Sequence, residues 1–227
     1  MRRRLHGFTL IELLVAISIM AVMAVLSWRG LDGMTRAQAQ TQQRSDELLT
    51  LQAGLAQWAA DLDALIQLPQ VNAIDWDGRV LRMTRTSAAA TADGILVVAW
   101  SRRNVDGTGQ WLHWQSPPLH ARGELMDAWA KAALWGQNPG DEEKKREVVI
   151  TPLEDWQIFY FRSDAWTNPL SSDGSTTPAN PVAAAQGAPN ASVPDGVRLV
   201  LTLPPGQALS GKLTRDWVRP TVGGGKS

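Results

Sequence analysis

The sequence predicts an α+β fold in which one long N-terminal helix, apolar and then amphipathic, packs on antiparallel β-sheets. Three observations carry this. Phe8 to Trp28 is an apolar run of 21 residues with one formal charge, Glu12. Leu48, Leu51, Leu55, Trp58, Leu62 and Leu65 then recur at spacings of 3, 4, 3, 4 and 3, the stripe of an amphipathic helix. Beyond Pro69 the chain turns into short β-branched and aromatic runs separated by turn residues.

Composition sets the limits. The 227 residues suffice for one membrane helix and one soluble domain of ordinary size. Formal net charge is zero; without Arg2, Arg3 and Arg4, 19 basic residues face 22 acidic ones, a net of −3. Nucleic acid demands clustered Lys and Arg, so this balance argues against a nucleic-acid partner. The absence of cysteine excludes thiolate metal sites, disulfides, thiol nucleophiles and lipidation at Cys. With 11 Trp against one Tyr and three Phe, indole rings must supply much of the aromatic packing.

The first element is the apolar run. A helix over 8–28 spans about 31 Å at 1.5 Å per residue, roughly one bilayer core, and defines a transmembrane segment. Arginines at its start predict that this end stays in the cytoplasm, with residues 29–227 across the membrane. A charge at mid-membrane costs about 2.5–3.5 kcal/mol, less near the end where Glu12 lies. Glu12 is therefore expected to need a partner, and nothing else in the apolar run offers one. A cleaved secretory signal is the alternative, but the run is longer than a signal core and no Ala-x-Ala closes it.

These residues carry a resemblance. A basic leader, then Gly7-Phe8-Thr9-Leu10-Ile11-Glu12 and about 20 apolar residues, resembles the class III signal of type IV pilins, which extends the fold expectation to a pilin-like one. The resemblance implies that residues 1–7 are a prepilin leader. Prepilin peptidase, which is also the methyltransferase, would cleave after Gly7 and N-methylate Phe8, and the apolar helix would be retained. Glu12 would pair with the mature amine of a neighbouring subunit and set axial register in a fibre.

The amphipathic continuation covers 29–68. Gly30 and Gly33 each weaken a helix by about 1 kcal/mol relative to Ala and make a bend plausible there. Pro69 cannot continue the helix, so the helix is expected to end at Leu68. The β-rich domain covers 69–220. Strands are expected over 78–86, 94–101, 110–115, 147–151, 157–162, 197–203 and 212–218, with Asp106-Gly107-Thr108-Gly109 as a hairpin turn. A short helix is expected over Glu124–Trp135, and Asp141–Arg146 reads as a solvated loop. Residues 163–195, rich in Ser, Pro, Ala and Asn, read as an exposed insertion that buries no core, and 221–227 as a frayed tail.

A second, narrower resemblance lies in the C-terminal half. Asp155-Trp156-Gln157-Ile158-Phe159-Tyr160-Phe161, then Pro194-Asp195-Gly196-Val197 with its strand, then Leu213-Thr214-Arg215-Asp216-Trp217, resemble the J-type minor pseudopilins (GspJ family) of type II secretion systems. So does Trp28-Arg29-Gly30-Leu31-Asp32. This resemblance implies a structural subunit near the tip of a periplasmic pseudopilus. Its partners would be the I-type and K-type minor pseudopilins, and it would help start the assembly that exports folded proteins across the outer membrane. A minor pilin of a type IV pilus or competence system is the alternative; such proteins often carry a C-terminal disulfide, and this chain has no Cys. A single-pass periplasmic binding module or enzyme with an uncleaved anchor is the alternative of another class.

No catalytic constellation and no cofactor is expected. His6 lies in the leader, His113 alternates with Trp111 and Trp114 on an expected strand, and His120 stands alone. Asp75-x-Asp77-Gly78 resembles the opening of a calcium loop but lacks the later acids, so it reads as a β-turn. Glu142-Glu143-Lys144-Lys145 reads as self-neutralising surface, and Gly30-x-x-Gly33 is too short for a Gly-x-x-x-Gly dimer motif.

Overall fold

The computed structural model describes residues 8–69, 71–87, 94–162, 164–172 and 193–220. The leader, the tail over 221–227 and most of the insertion (163 and 173–192) lie outside the described residues. The chain divides into two compact units, one to Asp46 and one from Glu47. Helix α1, Leu10–Asp63, belongs to both.

In the first unit α1 is apolar as far as Trp28 and largely polar beyond it, and every side chain from Phe8 to Asp46 is exposed. The helix runs unbroken through Gly30 and Gly33, and a Cβ at either would meet nothing within 4 Å. Arg36 and Asp32 form an exposed i,i+4 pair at 3.0 Å, of the kind that adds only a few tenths of a kcal/mol.

The second unit holds the rest of α1 and two antiparallel sheets. The first is a five-stranded meander in chain order: β1 (Ile74–Trp76), β2 (Val80–Thr86), β3 (Ile95–Val105), β4 (Thr108–Gln115) and β5 (Glu147–Pro152). Helix α2 (Arg122–Trp135) and the single turn α3 (Asp141–Lys144) join β4 to β5. The second sheet has the order β7-β6-β8-β9, built from β6 (Asp155–Arg162), β7 (Ala165–Thr167), β8 (Gly196–Leu203) and β9 (Gly211–Val218). A further turn of helix, α4 (Pro169–Ser172), follows β7.

The first sheet is covered on both faces, which is why its central strands read as nearly continuous apolar runs. Leu81, Met83, Val98, Trp100 and Trp111 point to one side, where they meet Leu51, Trp58 and Leu62 of α1 and the inner face of the second sheet. Val80, Val97, Ala99, Leu112 and Trp114 point to the other and meet Leu125, Ala128, Trp129 and Ala132 of α2. The period-2 alternation of strand side chains produces both layers from one set of strands. Nine of the eleven Trp are buried in these two layers, so the indoles are packing residues. Each fully buried side chain of this size stabilises the fold by roughly 1.5–3 kcal/mol.

The stripe on α1 behaves as its spacing predicts. Leu51, Trp58 and Leu62 are buried and Leu55 packs at the margin, while Leu65 reaches the same core from beyond the end of the helix. Gly54 lies on the same face, and a Cβ there would overlap Ile150 Cγ2 of β5 and come within 3.4 Å of Trp111. Gly54→Ala is therefore expected to lose about 1–3 kcal/mol by overpacking. Thermal denaturation of Gly54→Ala, Ile150→Ala and the double variant checks this: the two losses should be sub-additive, and strict additivity would remove Ile150 as the obstacle.

Carboxylates on α1 fasten it to both sheets. Asp61 is fully buried and lies against three strands of the first sheet. It accepts hydrogen bonds from Trp100 Nε1 at 2.8 Å and Gln57 Nε2 at 2.7 Å, and His113 Nε2 lies 3.1 Å away. Arg85 Nε sits 3.1 Å from Asp61 Oδ1 as a charge pair too oblique for a hydrogen bond, while its Nη2 donates to Gln115. Asp63 accepts from Trp217 Nε1 of β9 at 2.7 Å, and Glu47 accepts the Ala208 N–H of the β8–β9 connection at 2.9 Å.

Several boundaries differ from the sequence reading. Helix α1 stops at Asp63, five residues before the expected end at Leu68. Ile66 N–H donates to Thr84 O, Thr86 N–H donates to Ala64 O, and Leu65 bridges Arg85. Pairing with β2 takes these backbone groups out of the helix before Pro69 can stop it. Asp141–Arg146, read as a loop, begins with the turn α3, although it is solvated as expected. The hairpin turn is tighter than expected: β3 runs to Val105 and β4 starts at Thr108, leaving Asp106 and Gly107 at φ 50° and 81°, a type I′ pair. The span 163–195 is not wholly uncored. It contains β7, whose Trp166 packs on Phe161 with centroids 5.2 Å apart, and Val193 is buried in the main core.

Two charged contacts are local. At the N-cap of α2, Ala121 has no acceptor, and Glu124 reaches back to take the N–H groups of Ala121 and His120 at 3.1 and 2.9 Å. Those two backbone donors hold the Glu124 carboxyl below its ordinary range. Arg198 of β8 and Asp216 of β9 form a bidentate cross-strand pair, and the hydrogen bonds from Arg198 likewise hold Asp216 low.

Candidate assembly and processing site

Thr9 is where the first helix begins. Its backbone is non-helical, Leu10 is the first helical residue, and Glu12 is third in the helix. Glu12 N–H donates to Thr9 Oγ1 at 3.4 Å. In return Glu12 Oε2 accepts from Thr9 N–H at 3.0 Å and from Thr9 Oγ1 at 2.9 Å. This Thr-x-x-Glu exchange is a capping box, which satisfies helix-terminal donors that would otherwise be bare.

This corrects one expectation. Among the described residues Glu12 has no charge partner, but it is not without a partner in its own chain: Thr9 engages one carboxylate oxygen. The sequence reading overlooked Thr9, although Thr-x-x-Glu before an apolar run is itself the signature of such a cap. Among the described residues Oε1 accepts no hydrogen bond, and Glu12 lies on an exposed helix face with Ile11, Val15, Ala16 and Ile19. Phe8, one residue before the cap, is 90 % exposed. Gly7 lies outside the described residues.

The helix carrying these residues is long and apolar enough to cross a membrane, and none of that stretch is buried within the chain. Leaving some twenty apolar side chains bare in water would be costly, so a lipid or protein environment must cover them. Within the stretch, Ser18 Oγ donates to Leu14 O at 2.8 Å, which satisfies the hydroxyl locally.

The other residues singled out from the sequence are structural. Asp77 Oδ1 accepts the N–H groups of Arg79 and Val80 at 2.9 and 2.8 Å, which makes 77–80 a turn. Asp75 and Asp77 both pair with Arg82. His113 lies on β4, buried against Trp100 and Asp61. His120 is exposed and apart from it; His6 is outside the described residues. Lys145 pairs with Glu142 at 2.6 Å on the surface. Among the described residues, no group of three or more His, Asp or Glu is placed to hold a metal ion.

Comparison with known proteins bears on this terminus and on the chain beyond it. Residues 2–28 match the family described as the prokaryotic N-terminal methylation motif. The chain is similar to type II secretion system protein J of Vibrio cholerae serotype O1, 27 % identical over 180 residues, covering 73 % of this chain and 75 % of that protein. It is also similar to type II secretion system protein J of Klebsiella pneumoniae, 38 % identical over 66 residues, which is 29 % of this chain and 33 % of that protein. No solved structure matches at a comparable level.

Proposed function

We infer that the chain is a J-type minor pseudopilin of a type II secretion system, a membrane-anchored structural subunit whose work is assembly. The observation that carries this reading is the methylation motif over 2–28 on an exposed apolar helix with a capped acid at its third position, in a chain similar along most of its length to a protein J.

On this reading residues 1–7 are removed after Gly7, and the new amine on Phe8 is methylated. The arginines of the leader keep that end cytoplasmic, 8–28 is stored in the inner membrane, and the β-rich domain lies in the periplasm. In the fibre the helix exchanges lipid for neighbouring helices. Thr9 holds Glu12 Oε2 and leaves Oε1 toward the amine of the next subunit, a charge pair that gains strength in a low-dielectric setting. The role is structural rather than catalytic, and the fitting partners are the I-type and K-type minor pseudopilins.

Mass spectrometry of the protein purified from its own membrane tests the processing. The expected mass lacks residues 1–7 and carries one extra methyl group on Phe8. An intact leader would overturn the pseudopilin reading. A second arm co-purifies the full chain with I-type and K-type subunits in detergent; failure of both to associate, with the leader correctly removed, would leave a pilin-class protein of another type.

A further inference from the structure

A cleft of about 740 Å³ opens where β3 outruns its neighbour. The β2–β3 register ends at Val80 and Ser101, whereas β3 stays paired with β4 as far as Val105 and Thr108. Among the described residues, 102–105 of β3 therefore have a strand on one side only. Half of their backbone N–H and C=O groups point to the side that β2 has left, which makes a short open sheet edge inside a concave wall.

The wall is cationic. Arg79, Arg102, Arg103 and Lys144 line it, and Asp155 is the single carboxylate among the lining residues. Arg103 is already committed, with its guanidinium on both oxygens of Glu147 and on Trp135 O. The others are not. Arg102 Nε donates to Leu153 O at 3.0 Å, which fixes the guanidinium without neutralising it. The Arg79 side chain is exposed beside the Asp77–Val80 turn, and Lys144 is 4.0 Å from an almost fully exposed Asp141. A fixed guanidinium with free N–H groups is suited to bind a carboxylate, because little further ordering is needed.

We propose that this cleft takes an extended, acidic segment of another protein. The segment adds along residues 102–105 of β3 and sets its carboxylates against Arg79, Arg102 and Lys144. Backbone pairing to the open edge supplies affinity, and the cations select for acidic side chains at alternate positions. This inference is independent of the N-terminal assembly reading: it concerns the β-rich domain and holds whether or not the leader is processed.

The test uses the full chain in neutral detergent micelles at low salt, with fluorescence anisotropy of labelled acetyl-Glu-Val-Glu-Val-Glu as the readout. Saturable binding is expected, about ten-fold weaker for Arg79→Gln/Lys144→Gln, two exposed side chains whose loss leaves the fold intact. Arg102→Gln should weaken it further. The same peptide with its two valine amides N-methylated should also bind about ten-fold more weakly, because it cannot pair with the edge. Equal binding of the acetyl-Lys-Val-Lys-Val-Lys peptide, or unchanged binding by the double variant, would overturn the proposal. Full competition by millimolar inorganic phosphate would reduce the cleft to a small-anion site and overturn it too, as would a dimer whose formation is lost in the double variant.

Discussion

Glu12→Ala is expected to abolish incorporation of the subunit into a fibre while leaving its fold unchanged. The two halves of this expectation come from different parts of the structure. Glu12 is exposed, and among the described residues its hydrogen bonds are to Thr9. Removing it therefore costs the fold only one exposed helix cap. In a fibre the same carboxylate would neutralise an amine away from water, where an unpaired charge costs several kcal/mol. The expected readout is loss of cross-links to neighbouring pseudopilins and of exported protein in the medium, with thermal unfolding unchanged. Glu12→Gln keeps most of the cap and loses the charge, so it separates the two roles: it should fail in assembly as Ala does. Normal export by the Gln variant would assign Glu12 to capping alone.

Asp61→Ala is expected to be the most damaging substitution in the folded domain, at about 3–5 kcal/mol, the usual loss when one partner of a buried ion pair is removed. Arg85 would keep its charge in a buried site, and Trp100 Nε1 and Gln57 would lose their acceptor. Chemical unfolding of the full chain in detergent should show a lower midpoint at an unchanged slope. The apolar replacement Asp61→Leu with Arg85→Met should recover much of the loss, because it removes both charges and their desolvation together. If Asp61→Ala and the double variant unfold alike, the loss comes from packing at α1 and not from the stranded guanidinium.

The long helix was legible because burial of one face imposes a period, and the period is written in residue spacing, as Leu51, Trp58 and Leu62 show. The unbroken apolar run of β3 marks a buried strand but does not say which elements cover its two faces. The end of α1 was not legible. Pro69 is a local stop signal, but Ala64 and Ile66 leave the helix earlier for partners on β2 that are far along the chain. The three-residue strands β1 and β7 are too short to display any period. Asp61, between Trp58 and Leu62, carries no signal of its own in the sequence, and only the meeting of β2, β3 and β4 gives it Arg85, Trp100 and His113. At the terminus, Gly7, Phe8 and Glu12 stand out by pattern. Thr9 is legible too, since the cap depends only on a spacing of three, but a neutral hydroxyl is less conspicuous than a charge partner for Glu12.

The three carboxylates of the second unit's helix have a mechanical consequence. Glu47, Asp61 and Asp63 are spread over 16 residues of α1, about 24 Å along its axis. Each grips a different element: the β8–β9 connection, the first sheet and β9. A tug along the helix axis, such as a growing fibre would exert, strains these attachments together instead of peeling them one after another. The globular domain is thus riveted to its own shaft at separate points, and detaching it requires several to yield at once.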